Sequence, residues 1–541
     1  MIGTARRVRE ILGVLGGALL VVALLLHVQG PDTPLRGDQQ WGNLMALKHL
    51  HPDWLAGDVF YGPPYYRGYN PAFFSLQARV ARAAGGDVED ALRLLAWPIG
   101  LLFLVGHYAL FRHLTGSWPA AALGALSALV VRNALGGEYW GFSGLRDVLP
   151  RAIASGLTPL LVLAFLRLRG HPLFAGYFLL VGLAANLHPV SGLHLAQISA
   201  VAHLWLSRFH GRAWRDVLLG VPLFAIGALP FIMRYVPAQE HLSDPALLPL
   251  VREALHYRYP YLLFPFDPSS VISVAFHAGL PIAVLLWVLR RGQTPEALRV
   301  LLTMAVAALV LGVGGIALIQ TLGVLSGRPY VDIHQMRATR FMYPALLAAF
   351  PLAYASLLRA RRTRAWFPLA ALLLLSAIPP GSVIHAVSQE RRDAVKRALG
   401  IQVSPPRPAP VAPPGAEEES RRAERRLWSF AAQHTEPAAL VFTDSFAFRY
   451  ETLRPITGSF KDGGIVIAGT GPLYRWYVYM REVEDCRRRR GEACWFALAE
   501  KYHGRYAVVD PELDRAAPAD GRWTRIWSEA GWSFWRRGPS A

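Results

Sequence analysis

The sequence has little charge for its length. Of its 541 residues, 17% are charged and 53% are hydrophobic, and the mean hydropathy is +0.28. A soluble globular chain carries about a quarter of its residues as charged side chains. This composition argues against an ordinary soluble protein and favours one whose main solvent is a lipid bilayer.

Acidic residues are the scarcer of the two charged classes. There are 37 Asp and Glu against 56 Lys and Arg, which gives a net charge of +19 and an isoelectric point near 10.2. Such a balance is also typical of nucleic-acid-binding proteins. The arginines, however, fall mostly in clusters between apolar runs, where orientation in a membrane explains them better. We therefore predict no nucleic-acid partner.

Cysteine is nearly absent. The two present, Cys486 and Cys494, lie close together in the C-terminal segment. In an oxidising compartment such a pair forms a local disulfide, and in a reducing one it stays as two free thiols. The topology below puts this segment in an oxidising compartment and so favours the disulfide.

Long apolar runs recur along the chain, each able to cross a hydrocarbon core. They begin near Ile11, Leu92, Trp118, Ala152, Leu173, Gly192, Val217, Val271, Ala297, Met342 and Trp366. The first follows a basic segment, as in a signal peptide, but no small-residue cleavage site precedes Pro31, so we expect an uncleaved helix. The prediction is an α-helical polytopic membrane protein with about eleven transmembrane helices.

The arginines predict the orientation of these helices. With a cytoplasmic N-terminus, every cytoplasmic connection is basic, as the positive-inside rule requires. These connections contain Arg112; Arg167 and Arg169; Arg208, Arg212 and Arg215; Arg290 and Arg291; and Arg359, Arg361, Arg362 and Arg364. An odd helix count then places the C-terminus on the extracytoplasmic side.

The chain divides into three parts by composition. Residues 1–387 form the predicted transmembrane domain, with a long first external loop at about 31–90, and 388–420 form an amphipathic segment and proline-rich linker. Residues 421–541 form a small extracytoplasmic α/β domain. Its predicted strands are 439–443 and 506–509, its helices are 421–433 and 495–502, and 524–536 is a closing hairpin. The Gly469 to Gly471 fragment is interpreted as a turn.

The predicted external connections are longer and richer in polar and aromatic groups than the internal ones. They are 31–90, 133–151, the turn at His188, 237–270 and 326–340. Loops of this length in a compact protein usually carry function. We therefore expect the functional site on the extracytoplasmic side.

Two carboxylates bracket a helical stretch in the first external loop. Apolar spacing from Gln39 to His49 predicts a short amphipathic helix along the membrane surface, with Asp38 just before it. Asp38 is then an N-cap, a general base, or both. Asp58 follows Gly57 and is either a turn residue or a second catalytic carboxylate.

Histidines and acidic clusters in the same region do not predict a metal site. His49 and His51 are two residues apart, a spacing that does not bring them to one face of a helix, so a zinc site there is not expected. Asp87, Glu89 and Asp90 precede the second apolar run and are interpreted as the N-terminal charges of its helix.

Further candidate binding residues lie at the predicted outer ends of helices. Glu138 and Arg146 stand in the second external loop, and Arg151 follows Pro150 at a helix start, where it either reaches the interface or binds an anion. His188 stands in the tight turn between two helices and is either a capping residue or a ligand contact.

A last group of candidates precedes the tenth apolar run. Gln335, Arg337 and Arg340 lie there, and the two arginines share one face. Such a pair either clasps a lipid-linked phosphate or anchors at the interface. External arginines run against the positive-inside bias, which favours phosphate.

Several short motifs together resemble one family. They are Gly37-Asp38-Gln39, Pro150-Arg151, Leu187-His188-Pro189, Gln335 with Arg337, and the stretch from Phe448-Arg449 through Arg454 and Phe460-Lys461 to Trp476 and Arg481. With the long first loop and the C-terminal domain, they resemble uncharacterised bacterial members of the C-type (GT-C) membrane glycosyltransferases. These enzymes take sugars from polyprenyl-phosphate carriers.

The resemblance implies a mechanism and a location. Asp38 would deprotonate an acceptor hydroxyl, with inversion at the sugar, while Arg337, Arg340 and Arg151 stabilise the departing phosphate. Asp58 and His188 would orient the sugar or the acceptor, an envelope glycan, lipid or protein. The protein would lie in the bacterial inner membrane, among membrane lipids. A DxD-like signature is not clearly present, so dependence on Mg²⁺ or Mn²⁺ stays open.

Aromatic side chains in the external loops have two interpretations. They can stack on sugar rings or form the aromatic belt of a membrane interface. The residues concerned are Trp41, Tyr61, Tyr65, Tyr66, Trp140 and Tyr257.

Two other functions compete with glycosyl transfer. One is an enzyme like the O-antigen ligases or polymerases, resting on external arginines and His188 rather than on Asp38. The other is a transporter or a non-enzymatic assembly protein, which would show inverted repeats and mid-bilayer charges that the sequence does not clearly contain.

Overall fold

A computed structural model describes residues 2–29, 37–130, 148–258, 281–292, 295–326, 335–359, 416–489, 492–513 and 521–538. The chain is mostly helical and forms two compact units. The first comprises Met1–Leu35, Val80–Met233 and Tyr259–Val403, and the second comprises Arg36–Arg79, Arg234–Arg258 and Ser404–Ala541.

Long helices make up most of the described chain. In chain order they are α1 (Ile2–Gln29), α2 (Asp38–Leu50), α3 (Pro71–Ala83), α4 (Val88–Thr115), α5 (Trp118–Val130), α6 (Pro150–Leu168), α7 (Gly176–Ala185), α8 (Pro189–Leu206), α9 (Gly211–Tyr235), α10 (Leu248–Arg258), α11 (Pro281–Arg290), α12 (Glu296–Leu309), α13 (Gly315–Ser326), α14 (Tyr343–Arg359), α15 (Ala416–His434), α16 (Phe446–Thr452), α17 (Thr470–Arg489) and α18 (Glu492–Lys501). A π-helical turn, Val310–Gly314, joins α12 to α13, and 3₁₀ turns include Pro64–Arg67, Val236–Ala238, Pro245–Leu247, Gln335–Met342 and Phe460–Ala468.

Within the described ranges, six helical segments are long and apolar enough to cross a membrane. They are Glu10–His27, Val88–Thr115, Pro150–Leu168, Gly211–Ala238, Glu296–Leu318 and Gln335–Arg359. Shorter apolar helices occur in three further predicted runs, including α7 and α11. The starts predicted at Val271 and Trp366 lie outside the described residues, and the count of eleven is not confirmed.

The ends of α4 follow from its sequence. The Asp87 side chain caps the helix by accepting from the backbone N–H of Glu89 at 2.7 Å and of Asp90 at 3.3 Å. At the other end Gly116 adopts a left-handed conformation, with φ of +65°, and its backbone N–H donates to the carbonyl oxygen of Arg112. The prediction that the acidic cluster belongs to this helix start is confirmed.

Ion pairs join helix ends that the arginine pattern assigns to one side. Arg112 Nε lies 2.8 Å from Glu10 Oε1, which links the end of α4 to the start of α1. Arg169, which follows α6, pairs with Glu296 at the start of α12 at 2.5 Å. Each pair is compatible with an up-and-down arrangement in which these ends share a face.

The C-terminal part of the second unit is built on a four-stranded sheet in the order β1-β2-β4-β3. The strands are β1 (Val441–Phe442), β2 (Tyr506–Val509), β3 (Trp523–Glu529) and β4 (Trp532–Arg537). β1 pairs with β2 in parallel, and the other pairs are antiparallel. The predicted small α/β domain and its closing hairpin are therefore confirmed.

The core of this sheet explains why the segment folds. One side of α15 buries Leu427 and Trp428 against Phe448 and Phe534. Aromatic side chains supply most of the area, as expected for a small domain that must bury apolar surface economically. Because α15 begins at Ala416, residues 416–420 are helix and not the predicted linker; 388–415 lie outside the described residues.

The second unit also differs from the predicted domain boundary. The first external loop was expected within the transmembrane domain, but residues 36–79, with 234–258, are grouped with the C-terminal segment. Ion pairs and hydrogen bonds of Asp58 with Arg449, and of Tyr65 with Glu240 and Arg475, hold these distant segments together. Composition cannot reveal such pairings.

The two cysteines form the predicted disulfide. Cys486 in α17 is bonded to Cys494 in α18, with their Cα atoms 5.7 Å apart. The bond ties the end of one helix to the start of the next.

Candidate functional site

Helix α2 begins where the sequence places the first candidate base. Gly37 is the N-cap residue, with a left-handed φ of +55°, and Asp38 is the first residue of the helix. The predicted N-cap role of Asp38 is therefore wrong, because glycine supplies the conformation that the helix start requires. The carboxylate still lies at the helix N-terminus, where the macrodipole favours negative charge.

The prediction of an amphipathic surface helix is also wrong. Six consecutive residues, 41–46, are buried, so α2 has no exposed face over this stretch. Asn43, on this stretch, accepts from Gln77 at 2.6 Å and donates to Tyr450 at 3.1 Å. The apolar spacing in the sequence predicted the helix but not that its polar positions are buried as well.

Asp38 forms an ion pair with a lysine distant in sequence. Lys461 Nζ donates to Asp38 Oδ1 at 2.6 Å, and the two side chains are 33% and 46% exposed. A carboxylate and an ammonium thus meet at a position that solvent, or a substrate, can reach. The sequence does not reveal that Lys461 pairs with Asp38, since no local pattern connects positions 38 and 461.

Two glycines lie against the lysine of this ion pair and against Trp41. A Cβ on Gly37 would lie 3.4 Å from Lys461 Nζ, and one on Gly464 would lie 3.4 Å from the Trp41 ring. Trp41 is one helical turn after Asp38, so both side chains lie on the same side of α2. The buried indole Nε1 has no hydrogen-bond acceptor among the described residues.

A buried ionic triad lies beside the Asp38–Lys461 ion pair in sequence. The Arg449 guanidinium donates to Asp58 at 2.8 and 3.2 Å and to Asp462 at 2.6 and 2.9 Å, and all three side chains are fully buried. The guanidinium also lies 4.5 Å from the centre of the Tyr61 ring. Both carboxylates therefore bind one cation. Burial of these three charges would be unfavourable by itself, and the ion pairs offset that cost.

Backbone groups complete the coordination of the triad. Asp58 accepts from the N–H groups of Phe60, Tyr61 and Ile456 at 2.9–3.0 Å, and Asp462 accepts from Ser459 at 2.7 Å. The turn interpretation of Asp58 is confirmed. A fully buried carboxylate with these bonds has a structural role, which argues against the predicted catalytic one.

The charged groups of the triad shift one another's pKa values. Burial alone would lower the pKa of Arg449, but Asp462 and Asp58 raise it. Burial raises the pKa of Asp462 even though Arg449 opposes that shift. Arg449 is thus held as a cation. Because Asp462 follows Lys461 directly, the triad fixes the backbone that carries the lysine.

Helix α2 ends at two other buried basic groups. Lys48 Nζ donates to the carbonyl oxygens of Pro52 and Trp54, each at 2.6 Å, and burial lowers its pKa. Burial, with the positive charges of Arg234 and Arg67, lowers the pKa of His49 from 6.5 to about 4. Lys48 thus stabilises the chain leading towards Asp58, whereas His49 Nδ1 lies 3.5 Å from the Ser75 hydroxyl and its ring packs edge-on against Tyr66.

The depressed pKa of His49 predicts an acid-sensitive unit. Between pH 6.5 and 4 the unfolded chain binds a proton that the folded chain does not, so stability is lost as the pH falls through this window, by up to about 3 kcal/mol. His49→Gln should remove this part of the pH dependence. The check is the melting temperature in nanodiscs from pH 7 to 4. The matched control is His51→Gln, at an exposed neighbour, and an unchanged slope in His49→Gln would contradict the assignment.

Two candidate residues in the first unit stand at helix starts. His188 is the N-cap of α8; its Nδ1 accepts from the N–H of Ser191 at 3.2 Å and lies 2.5 Å from the Ser191 hydroxyl. The predicted capping role is confirmed. Arg151 is the second residue of α6, whose first position is proline, as the sequence predicts.

The remaining described candidates share a 3₁₀ helix in the first unit. Gln335 begins the helix Gln335–Met342 and its Nε2 donates to Gln197 of α8 at 3.3 Å. Arg337 and Arg340 are three residues apart, positions that eclipse in an ideal 3₁₀ helix, and Arg340 is buried. The Arg340 guanidinium lies 5.2 Å from the centre of the Phe341 ring.

Some predicted site residues lie outside the part of the chain that the structure describes, and the others are divided between the two units. Glu138, Arg146 and Trp140 lie outside the described residues. Asp38 and Asp58 belong to the second unit, and Arg151, His188, Gln335, Arg337 and Arg340 to the first. In the part of the chain that is described, no group of three or more His, Cys, Asp or Glu side chains is placed to hold a metal ion.

Most of the candidate stacking aromatics are packing residues. Trp41, Tyr61, Tyr65 and Tyr66 are buried, and Tyr257 packs against Trp476. In this unit the exposed large aromatics among described residues are Trp54 and Phe460, at 41% and 42%. Phe460 immediately precedes Lys461.

These features define a class of protein. It combines several helices able to span a membrane with a second unit that has a small sheet and a half-exposed carboxylate–ammonium pair. No protein-family model and no curated protein matches the chain.

Proposed function

We propose that the protein is a membrane glycosyltransferase that transfers a sugar from a polyprenyl-phosphate donor to an envelope glycan, lipid or protein. The observation that carries the proposal is the ion pair between Asp38 and Lys461. It offers an accessible carboxylate, fixed at a helix start, on a residue that the GT-C resemblance assigns as the base.

The chemistry needs one base and one stabilised leaving group. An acceptor hydroxyl gives its proton to a carboxylate oxygen of Asp38 while its own oxygen bonds to the anomeric carbon. The bond from that carbon to the phosphate oxygen breaks, and its electron pair leaves with polyprenyl phosphate. Attack opposite the leaving group inverts the anomeric centre.

Lys461 has a positioning role in this scheme. Its ammonium holds Asp38 at 2.6 Å, and the Arg449 triad holds the backbone next to Lys461. A base kept in one place loses less entropy when the acceptor binds.

The proposal requires the second unit to face away from the cytoplasm. Cys494, which is partly exposed whereas Cys486 is buried, should then react with a membrane-impermeant maleimide in spheroplasts of a bacterial host, but only after an impermeant reductant has opened their disulfide. A Cys486→Ser, Cys494→Ser variant is the matched control. Labelling only after the membrane is permeabilised would contradict the orientation.

The direct test is transfer by the purified, lipid-reconstituted protein. Radiolabelled polyprenyl-phosphate sugars are incubated with wild type, Asp38→Asn and His188→Ala, and labelled product is separated from donor. The proposal expects product from wild type and from the His188 variant. Product that depends on His188 and not on Asp38 would favour a ligase-like enzyme. Substrate that accumulates in sealed vesicles without transfer would identify a transporter.

A further inference from the structure

Phe460 is an exposed aromatic ring in a well-anchored turn. It is 42% exposed, whereas its neighbours Ser459 and Asp462 are fully or almost fully buried. The Ser459 carbonyl accepts from Trp476 Nε1 at 2.9 Å, and its N–H donates to Asp462 at 2.7 Å. The backbone is therefore held while the ring is left in solvent.

Three side chains hold the ring, the Arg258 guanidinium over one face and two aromatic rings inclined to it. The Arg258 guanidinium lies 4.6 Å from the ring centre, and the rings of Tyr257 and Trp476 lie 5.9 and 6.0 Å away, both inclined to it. Close packing also excludes a side chain at Gly463, where a Cβ would lie 2.6 Å from Trp476 and 2.7 Å from Arg258. The ring thus has one orientation and keeps an open surface.

Polar groups close to this ring in the chain suit a sugar. Lys461 follows Phe460 directly in the sequence and pairs with Asp38, which gives a cation and a carboxylate that hydroxyl groups can bind. The negative face of an aromatic ring attracts the polarised C–H groups of a pyranose. A lipid chain would need wholly apolar surroundings instead, whereas here a guanidinium lies over the ring and an ammonium-bearing residue follows it in the chain.

We propose that Phe460, backed by Arg258, is a stacking platform that binds a pyranose ring of the carbohydrate acceptor next to Asp38. This inference rests on the proposed function and names its acceptor class. It assigns to the second unit a binding step separate from proton transfer. Loss of the platform should therefore weaken acceptor binding and leave the chemical step intact.

The test compares Phe460→Leu and Phe460→Tyr in the full-length protein in nanodiscs. Leucine keeps apolar character without an aromatic face, and tyrosine keeps the face. Saturation-transfer NMR measures binding of three probes: tri-N-acetylglucosamine, α-1,6-mannotriose and maltotriose. Wild type and Phe460→Tyr should bind at least one of them, and Phe460→Leu should bind it roughly tenfold more weakly.

Matched variants separate the platform from other effects. Trp54→Leu changes an equally exposed aromatic that stacks on His51, 4.1 Å between ring centres, and should bind like wild type. Asp38→Asn should keep glycan binding while losing transfer. In the transfer assay Phe460→Leu should raise the acceptor KM roughly tenfold with little change in kcat.

Two results would overturn the platform. One is equal glycan binding by Phe460→Leu and wild type, with an unchanged acceptor KM; transfer could then still occur, and the proposed function would stand without it. The other is binding of none of the probes by wild type. Failure of the proposed function has a different signature, namely glycan binding that depends on Phe460 in a protein that transfers no sugar.

Discussion

Asp38→Asn should lower kcat for sugar transfer by about 10²- to 10⁴-fold, the range that a positioned general base supplies. Asparagine keeps the size of the side chain and can still contact Lys461, but it cannot accept the acceptor proton at neutral pH. Binding of the acceptor should change much less, because the amide retains most polar contacts. The measurement is steady-state transfer of a labelled sugar by reconstituted protein.

The control for this substitution is another helix-start carboxylate. Asp90→Asn changes a residue in the first turn of α4, whose side chain is 54% exposed and pairs with Arg93. It should transfer sugar at nearly the wild-type rate. An Asp38→Asn enzyme with full kcat would remove Asp38 from the mechanism.

Lys461 provides a second comparison for the same site. Lys461→Met removes the ammonium that lies 2.6 Å from Asp38 while keeping a long side chain. A positioning role predicts a smaller fall in kcat than Asp38→Asn causes, with a changed pH profile. The double variant should be no slower than Asp38→Asn alone, because the lysine acts through the carboxylate.

Arg449→Met should destabilise the second unit by about 3–5 kcal/mol, the cost of leaving buried carboxylates without their cation. Asp58 and Asp462 would then lie buried without their cation, with only backbone N–H groups to stabilise their charges. The measurement is hydrogen exchange at β2 of the protein in nanodiscs. Its amides should exchange roughly 10²- to 10⁴-fold faster than in wild type.

Two further variants identify the cause of this loss. Arg449→Met combined with Asp58→Asn and Asp462→Asn removes all three charges, and it should be more stable than Arg449→Met alone. Arg426→Ala removes an exposed arginine that pairs with Glu529 and should leave exchange nearly unchanged, as surface ion pairs contribute little. A triple variant that exchanges as fast as the single one would mean that lost packing, not unpaired charge, is responsible.

Local patterns predicted the parts of the fold that depend on neighbouring residues. The small sheet, its hairpin, the acidic start of α4 and the proline at the start of α6 all follow from apolar spacing and backbone chemistry within a few residues. The disulfide is of the same kind, because its cysteines are only eight positions apart. The same spacing located helix α2, but it did not reveal that the helix is buried.

The sequence by itself determined that the chain is rich in membrane-length apolar helices and which C-terminal residues form a sheet. Only the tertiary structure decided that Asp58 is a buried partner of Arg449 and that Lys461 meets Asp38. These pairs span about four hundred positions, and a charged side chain carries no local mark of its partner. Which carboxylate is accessible and which is buried depends on packing around both ends of the chain.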